Sequence, residues 1–191
     1  VKIVLATRNR GKLREFEPLL SGLPVEVVPD LPEVPETGAT FAENALLKAR
    51  AAARLTGCWA LGEDSGLVVD ALGGEPGVRS ARWSGAGDEA NNRKLLEALA
   101  HVPDERRTAR YVASIALVDE YGTVRARAEG TCEGRIAREP RGAGGFGYDP
   151  LFIVEAHGRT MAELPLELKN EISHRGRAVA ALRAQLARGS L

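Results

Sequence analysis

The sequence predicts an α/β fold with a mixed β-sheet. Two observations lead there. Short apolar runs rich in β-branched residues alternate along the whole chain with segments whose apolar residues recur at helical spacing. Near the middle, two long strand-like segments flank the turn Glu120-Tyr121-Gly122. A hairpin of that length adds antiparallel pairing, so the sheet is not purely parallel.

Each element has its own signal. Val1–Thr7 reads as a buried strand, followed by a polar loop and a helix through Leu13, Phe16, Leu19 and Leu20. Val25–Val28 is a second strand, and the Pro-rich, acidic stretch from Pro29 to Gly38 is a loop. Thr40-Phe41-Ala42-Glu43 is a capping box, opening a helix that runs to about Thr56 and ends at Gly57. Trp59–Leu61 and Leu67–Ala71 read as two strands separated by the polar break Glu63-Asp64-Ser65. Gly73–Gly87 is loop-rich, and Asp88 or Glu89 starts a helix through Leu95, Leu96 and Leu99. Thr108–Asp119 and Thr123–Glu133 form the hairpin, and Leu151–Val154 is a short strand after a glycine-rich loop. Ser173 caps a last helix with Val179, Leu182 and Leu186 on its buried face and Gly189 at its end. There is no internal repeat, and no linker is long enough to separate independent domains.

Composition narrows the function. The 191 residues suit one compact domain or two intimately joined lobes. Basic and acidic residues balance at 26 each, so phosphate must be bound by a local cluster rather than a global positive field. Lysine is scarce, at positions 2, 12, 48, 94 and 169 only, and Lys12, Lys48 and Lys169 fall inside polar motifs. Cys58 and Cys132 lack metal-ligand spacing and are expected as buried thiols in a reducing cytoplasm. No apolar run approaches the roughly 20 residues that span a bilayer, and the start VKIVLAT lacks the n- and h-regions of a secretion signal.

Four clusters carry candidate chemistry. Thr7-Arg8-Asn9-Arg10-Gly11-Lys12 sits between a strand and a helix start, where unpaired N–H groups favour phosphate. It is not a P-loop, because GxxxxGK[ST] is absent. Glu63-Asp64-Ser65-Gly66 puts two carboxylates side by side at an expected strand end, costly to bury without a cation. Magnesium prefers such oxygens, and Glu33 or Glu36 could add a further ligand. Gly144-Gly145-Phe146-Gly147-Tyr148-Asp149-Pro150 sets aromatic faces among glycines, suited to stacking on a base whose edge Asp149 could meet. Lys169-Asn170-Glu171-Ile172-Ser173-His174-Arg175 places His174 and Arg175 in a helix first turn, where the macrodipole disfavours cations by a few tenths of a kcal/mol. An anion or a carbonyl-bearing ligand would compensate. His101 and His157 are isolated, Trp59 and Trp83 lack a cation-cage context, and neither a nucleophile elbow nor HExxH occurs.

Together these segments resemble the inosine/xanthosine triphosphate pyrophosphatase family. The likeness rests on LATRNRGK, ETGATFAENALLKA, EDSGLVVDALGGEPGVRSAR, GGFGYDPLF and AELPLELKNEISHRGRA, in that order along nearly the whole chain. It implies an elongated mixed sheet flanked by helices, two lobes with a nucleotide cleft between them, and a homodimer. It also implies Mg²⁺-dependent cleavage of the α–β phosphate bond of dITP, ITP, XTP or dXTP, giving a monophosphate and pyrophosphate. By the same resemblance, Thr7, Asn9 and Lys12, with Gly11 between them, are the phosphate-binding loop. Arg8 and Arg10 stand there where the family often has smaller or uncharged residues. Asp64 is the metal-binding, proton-accepting carboxylate, with Glu63 beside it as the other candidate base, and Ser65 contacts substrate. Glu36 is the second metal carboxylate, with Glu33 as the alternative. Lys48 contacts substrate, Phe146, Gly147, Tyr148 and Asp149 bind the base, and Lys169, His174 and Arg175 complete the base and phosphate contacts. Arg175 and His174 are donors for a 6-oxo acceptor, which adenine lacks.

Three other readings compete. A pyrophosphatase of the septum-inhibitor (Maf-like) family favours a serine- and arginine-rich first motif, unlike TRNRGK. A nucleotide sensor without turnover has no need of Glu63-Asp64. A nucleic-acid-binding module is disfavoured by zero net charge and few aromatics.

Overall fold

The computed structural model describes residues 1–28 and 30–189; Pro29, the first residue of the predicted acidic loop, lies outside them. Seven strands, β1 (Ile3–Ala6), β2 (Val25–Val27), β3 (Trp59–Val69), β4 (Thr108–Val118), β5 (Val124–Ile136), β6 (Phe152–Val154) and β7 (Arg159–Thr160), form one sheet in the order β2-β1-β3-β4-β5-β6-β7. β1 is parallel to β2 and β3, whereas β6 is antiparallel to β5 and β7, so the sheet is mixed as predicted. The helices are α1 (Arg10–Leu19), α2 (Phe41–Thr56), α3 (Asp88–Ala98), α4 (Leu166–Ile172) and α5 (His174–Ala187). No helix among the described residues is long and apolar enough to cross a membrane.

The chain divides into two compact units: unit 1 is Val1–Asp64, Ala113–Gly130 and Arg175–Leu191, and unit 2 is Ser65–Val112 and Thr131–His174. Within unit 1 the sheet is buried on both faces. Side chains alternate along β1, so Ile3 and Leu5 pack with Phe16 of α1 and Val179 and Leu182 of α5, while Val4 and Ala6 pack with Ala45, Ala49, Ala52 and Ala53 of α2. This double burial is why β1 reads as an unbroken apolar run. Small residues along α2 let it lie close to β3. A Cβ on Gly62 would sit 2.2 Å from the carbonyl oxygen of Ala45, so only glycine fits there. Unit 2 has its own core, in which Leu67, Val69, Leu95, Leu99, Tyr111, Phe152 and Met161 are buried together.

The caps hold α2 where the sequence placed it. The Thr40 hydroxyl accepts the Glu43 N–H at 3.1 Å, and Gly57 ends the helix at φ +66°. The return bond of the capping box is displaced by one residue: the Glu43 carboxylate accepts from the Ala39 N–H at 2.7 Å.

Some expectations are corrected. The two predicted strands around Glu63-Asp64-Ser65 are one continuous strand, β3, and Ala71 belongs to a 3₁₀ turn at its end. The polar residues interrupt the hydrophobic pattern but not the strand, because cations on the neighbouring helices meet the carboxylates. α4 and β7 are absent from the sequence reading. α4 is a seven-residue helix starting after Pro165, too short to show a period, and β7 has only two residues. Cys132 is buried as expected, but Cys58 is only half-buried.

Candidate active site

The first cluster lies in unit 1 and grows from β3. Successive strand residues face opposite sides of the sheet, so adjacent Glu63 and Asp64 do not share a face. Glu63 follows Leu61 toward α1 and α5, and Asp64 follows Ala60 and Gly62 toward α2. Each therefore meets cations from a different helix layer, in place of the expected pair at a strand end.

On the α1 and α5 side, the Glu63 carboxylate is fully buried. It pairs with Lys12 Nζ at 3.0 Å and Arg175 Nη2 at 3.2 Å. Arg175 also pairs with Glu15 of α1, itself 2% exposed. The basic first turn of α5 is thus compensated from within the protein, by Glu15 and Glu63, where the sequence suggested a ligand. On the α2 side, Lys48 Nζ lies 2.6 Å from Glu36 Oε1 and 3.3 Å from Asp64 Oδ1, and donates to the Glu63 carbonyl at 3.3 Å. Glu36 is therefore the acidic-loop residue brought to this cluster, whereas Glu33 is exposed. Asp64 is 3% exposed, and its Oδ2 is buried without a hydrogen-bond partner.

The electrostatics distinguish these groups. Burial raises the Asp64 pKa above the ordinary value; Lys48 and Lys12 oppose this, and Glu36 and Glu63 add to it. Burial also opposes the charge on Lys48, but Asp64 and Glu36 outweigh it and hold that pKa above the usual lysine value.

The loop from β1 to α1 completes this cluster. Asn9 is the N-cap of α1, its Oδ1 accepting the Lys12 N–H at 3.1 Å, and Thr7 Oγ1 accepts the Asn9 N–H at 3.2 Å. Two of the predicted phosphate-loop side chains thus shape the loop itself. Gly11 lies in the first turn of α1, half-buried, while Arg8 and Arg10 are exposed. Ser65, the next residue of β3 after Asp64, is half-buried.

The second cluster lies in unit 2 around Asp149, which is 3% exposed. Its carboxylate accepts from Tyr111 Oη at 2.9 Å, the Phe146 N–H at 3.0 Å and Lys169 Nζ at 2.7 Å. Lys169, on α4, also stands 5.1 Å from the Phe146 ring centre. His174 stacks on Tyr111 with centroids 4.6 Å apart and planes 13° from parallel. Gly145 gives Asp149 room: at φ +70°, a Cβ there would lie 2.1 Å from Asp149 Oδ2. Phe146 and Gly147 are half-buried, at the turn. Tyr148 departs from its predicted role as a stacking face. It is 4% exposed in the core, its hydroxyl donates to the Ser80 carbonyl at 2.7 Å, and burial pushes its pKa up.

The structure thus groups Lys12, Glu36, Lys48, Glu63, Asp64 and Arg175 in one cluster, and Phe146, Asp149, Lys169 and His174 in the other. The sequence reading missed Glu15 and Tyr111. Glu15 stands beside Phe16 and three residues after Lys12, so a carboxylate borders the apolar stripe of α1 and calls for a buried cation. Tyr111 alternates with alanines along β4, and a buried tyrosine hydroxyl requires a partner. No group of three or more His, Cys, Asp or Glu among the described residues forms a ready metal cage. The donors here are instead one or two carboxylates, the set that suits magnesium shared with phosphate oxygens.

Comparison with known proteins agrees along the whole length. A dITP/XTP pyrophosphatase of Symbiobacterium thermophilum is 62% identical over 185 residues, covering 94% of this chain and 91% of that protein. One from Geobacter sulfurreducens is 58% identical, covering 97% and 96%. Among solved structures, a HAM1 protein from Coxiella burnetii superimposes with a TM-score of 0.89 at 45% identity, covering 99% of this chain and 100% of that one. A nucleoside-triphosphatase, or dITP/XTP pyrophosphatase, from Mycobacterium abscessus gives 0.75 at 50% identity, covering 95% and 97%. Residues 3–185 match the Ham1 family, and the chain belongs to that family.

Proposed function

We propose that this protein hydrolyses non-standard purine nucleoside triphosphates, dITP, ITP, XTP and dXTP, to the monophosphate and pyrophosphate, removing them from the nucleotide pool. The carrying observation is Asp64: a buried carboxylate with raised proton affinity and one oxygen lacking a partner, beside two lysines. The names of the relatives support the same activity. A triphosphate brings about four negative charges, which Lys12, Lys48 and the helix-start N–H groups of α1 would meet and align for in-line displacement. Asp64 and Glu36 would hold Mg²⁺, and the orphaned Asp64 Oδ2 fits that role. When bound, the ion neutralises charge and polarises phosphoryl oxygens. Asp64 accepts the proton of the attacking water. Glu63 is the poorer base, because Lys12 and Arg175 already neutralise it in full burial.

Unit 2 supplies base recognition. The Phe146 ring stacks on the purine, and Lys169, held by Asp149, and His174 donate to its 6-oxo group. Adenine would present its own donor there, a mismatch of roughly 1–3 kcal/mol per buried group. Arg175 is engaged with Glu15 and Glu63, so we assign it to holding those carboxylates rather than to reading the base. By resemblance the protein is a cytoplasmic homodimer, and sedimentation equilibrium measures its mass in solution. A nucleotide panel with Mg²⁺ tests the activity. Equal yields of pyrophosphate and monophosphate are expected from dITP and XTP; stepwise orthophosphate with accumulating diphosphate would overturn the assignment.

A further inference from the structure

Helix α3 opens Asp88-Glu89-Ala90-Asn91-Asn92-Arg93-Lys94, and its polar residues reach into neighbouring loops of unit 2. Asp88 Oδ2 accepts the Gly147 N–H at 2.8 Å, and Asn92 Nδ2 donates to the Gly147 carbonyl at 3.0 Å. Asp88 and Asn92 are four residues apart, so they stand one above the other on the same helix face. Gly147 sits at φ +60° in a loop outside the sheet, and α3 takes both of its backbone polar groups. Asn91 braces the far side of the turn. Its amide donates to Ser80 O at 3.3 Å and Ala81 O at 3.1 Å, and Ser80 O also receives the Tyr148 hydroxyl at 2.7 Å. Phe146 and Asp149 are tied to each other within the turn, Tyr111 and Lys169 anchor its Asp149 end, and α3 holds it at Gly147.

We propose that Asp88 and Asn92 are positioning residues for purine recognition: by gripping both backbone groups of Gly147, they hold the Phe146 ring in the orientation that stacks on the base. The inference rests on the reading of Phe146 and Asp149 as the base-binding turn. A glycine-rich turn samples many conformations, and holding it before substrate arrives removes that entropy cost from binding.

The test is direct calorimetric binding of dIMP and, separately, of magnesium pyrophosphate to the full chain. Asn92→Leu and Asp88→Ala are each expected to weaken dIMP binding about tenfold and leave pyrophosphate within about twofold, the scale of one lost hydrogen bond to a positioned group. Asp88→Asn keeps an acceptor for Gly147 and should recover most of the affinity. Asp88 is exposed, so its variants report even if Asn92→Leu fails to fold. Equal losses for dIMP and pyrophosphate would make the role merely structural and overturn the inference. So would unchanged dIMP affinity in these variants while Phe146→Ala loses it, which leaves the base-binding turn standing. If Phe146→Ala also binds dIMP normally, the base-binding reading fails and the inference falls with it.

Discussion

In unit 1 the site is made of ions: Lys12, Lys48 and Arg175 against Glu15, Glu36, Glu63 and Asp64, all drawn around one strand. In unit 2 a single carboxylate, Asp149, is met by one lysine, one phenol and one backbone N–H, among stacked rings. The first arrangement concentrates paired charge, with which, under the proposed function, a polyanion and its metal would exchange partners. The second fixes shape and donor direction, and a neutral heterocycle needs nothing more. This difference in charge supports the proposal that the first cluster takes phosphate and the second takes the base.

Asp64→Asn is the sharpest way to break the first cluster. It keeps the volume and removes the charge, so turnover should fall by about two to four orders of magnitude with the circular dichroism spectrum unchanged. Turnover within a few-fold of the parent at saturating Mg²⁺ would remove Asp64 from the mechanism. Arg175→Ala should act on stability instead. It leaves Glu15 and Glu63 buried and short of their cation, a loss of about 3–5 kcal/mol read by urea denaturation. A cost under about 1 kcal/mol would mean the pair is not held as described. In the second cluster, Phe146→Ala should raise KM for dITP by roughly ten- to a hundredfold, the worth of one stacked base, with kcat changed little. A fall in kcat alone would move Phe146 toward the phosphate chemistry.

The same contrast explains what the sequence made legible. The helices with caps and a clear period, α1, α2, α3 and α5, could be read, as could the long hairpin. The strand through Glu63-Asp64-Ser65 could not, because local polarity argued for a break and only tertiary cations keep it whole. Alternation along a strand does predict that adjacent Glu63 and Asp64 part to opposite faces, but that inference needs the strand to be recognised first. Arg175 was legible as an anomaly in a helix first turn, yet its partners, Glu15 and Glu63, come from remote segments. In the glycine-rich loop, composition could not tell which aromatic is buried. Phe146 stays at the turn and Tyr148 turns inward to Ser80.

Tyr148 gives the mildest test of the comparison. If it belongs to the core of unit 2, Tyr148→Phe keeps the ring packing and loses only the hydroxyl bond to Ser80 O, about 1 kcal/mol. KM for dITP should then stay within about twofold, since the lost bond is not to substrate. The variant should also differ from the parent at high pH. Burial raises the tyrosine pKa in the fold, so the unfolded chain gives up this proton first, from near pH 10 upward. The parent therefore loses stability as pH climbs past that value, because its folded state keeps a proton the unfolded state has released. Phenylalanine has no proton to lose, so its stability should fall less steeply over the same range. Urea midpoints of both proteins between neutral and alkaline pH measure the difference. Parallel curves would mean that burial does not raise the Tyr148 proton affinity in the fold, and a large rise in KM at neutral pH would place its hydroxyl at the substrate instead of in the core.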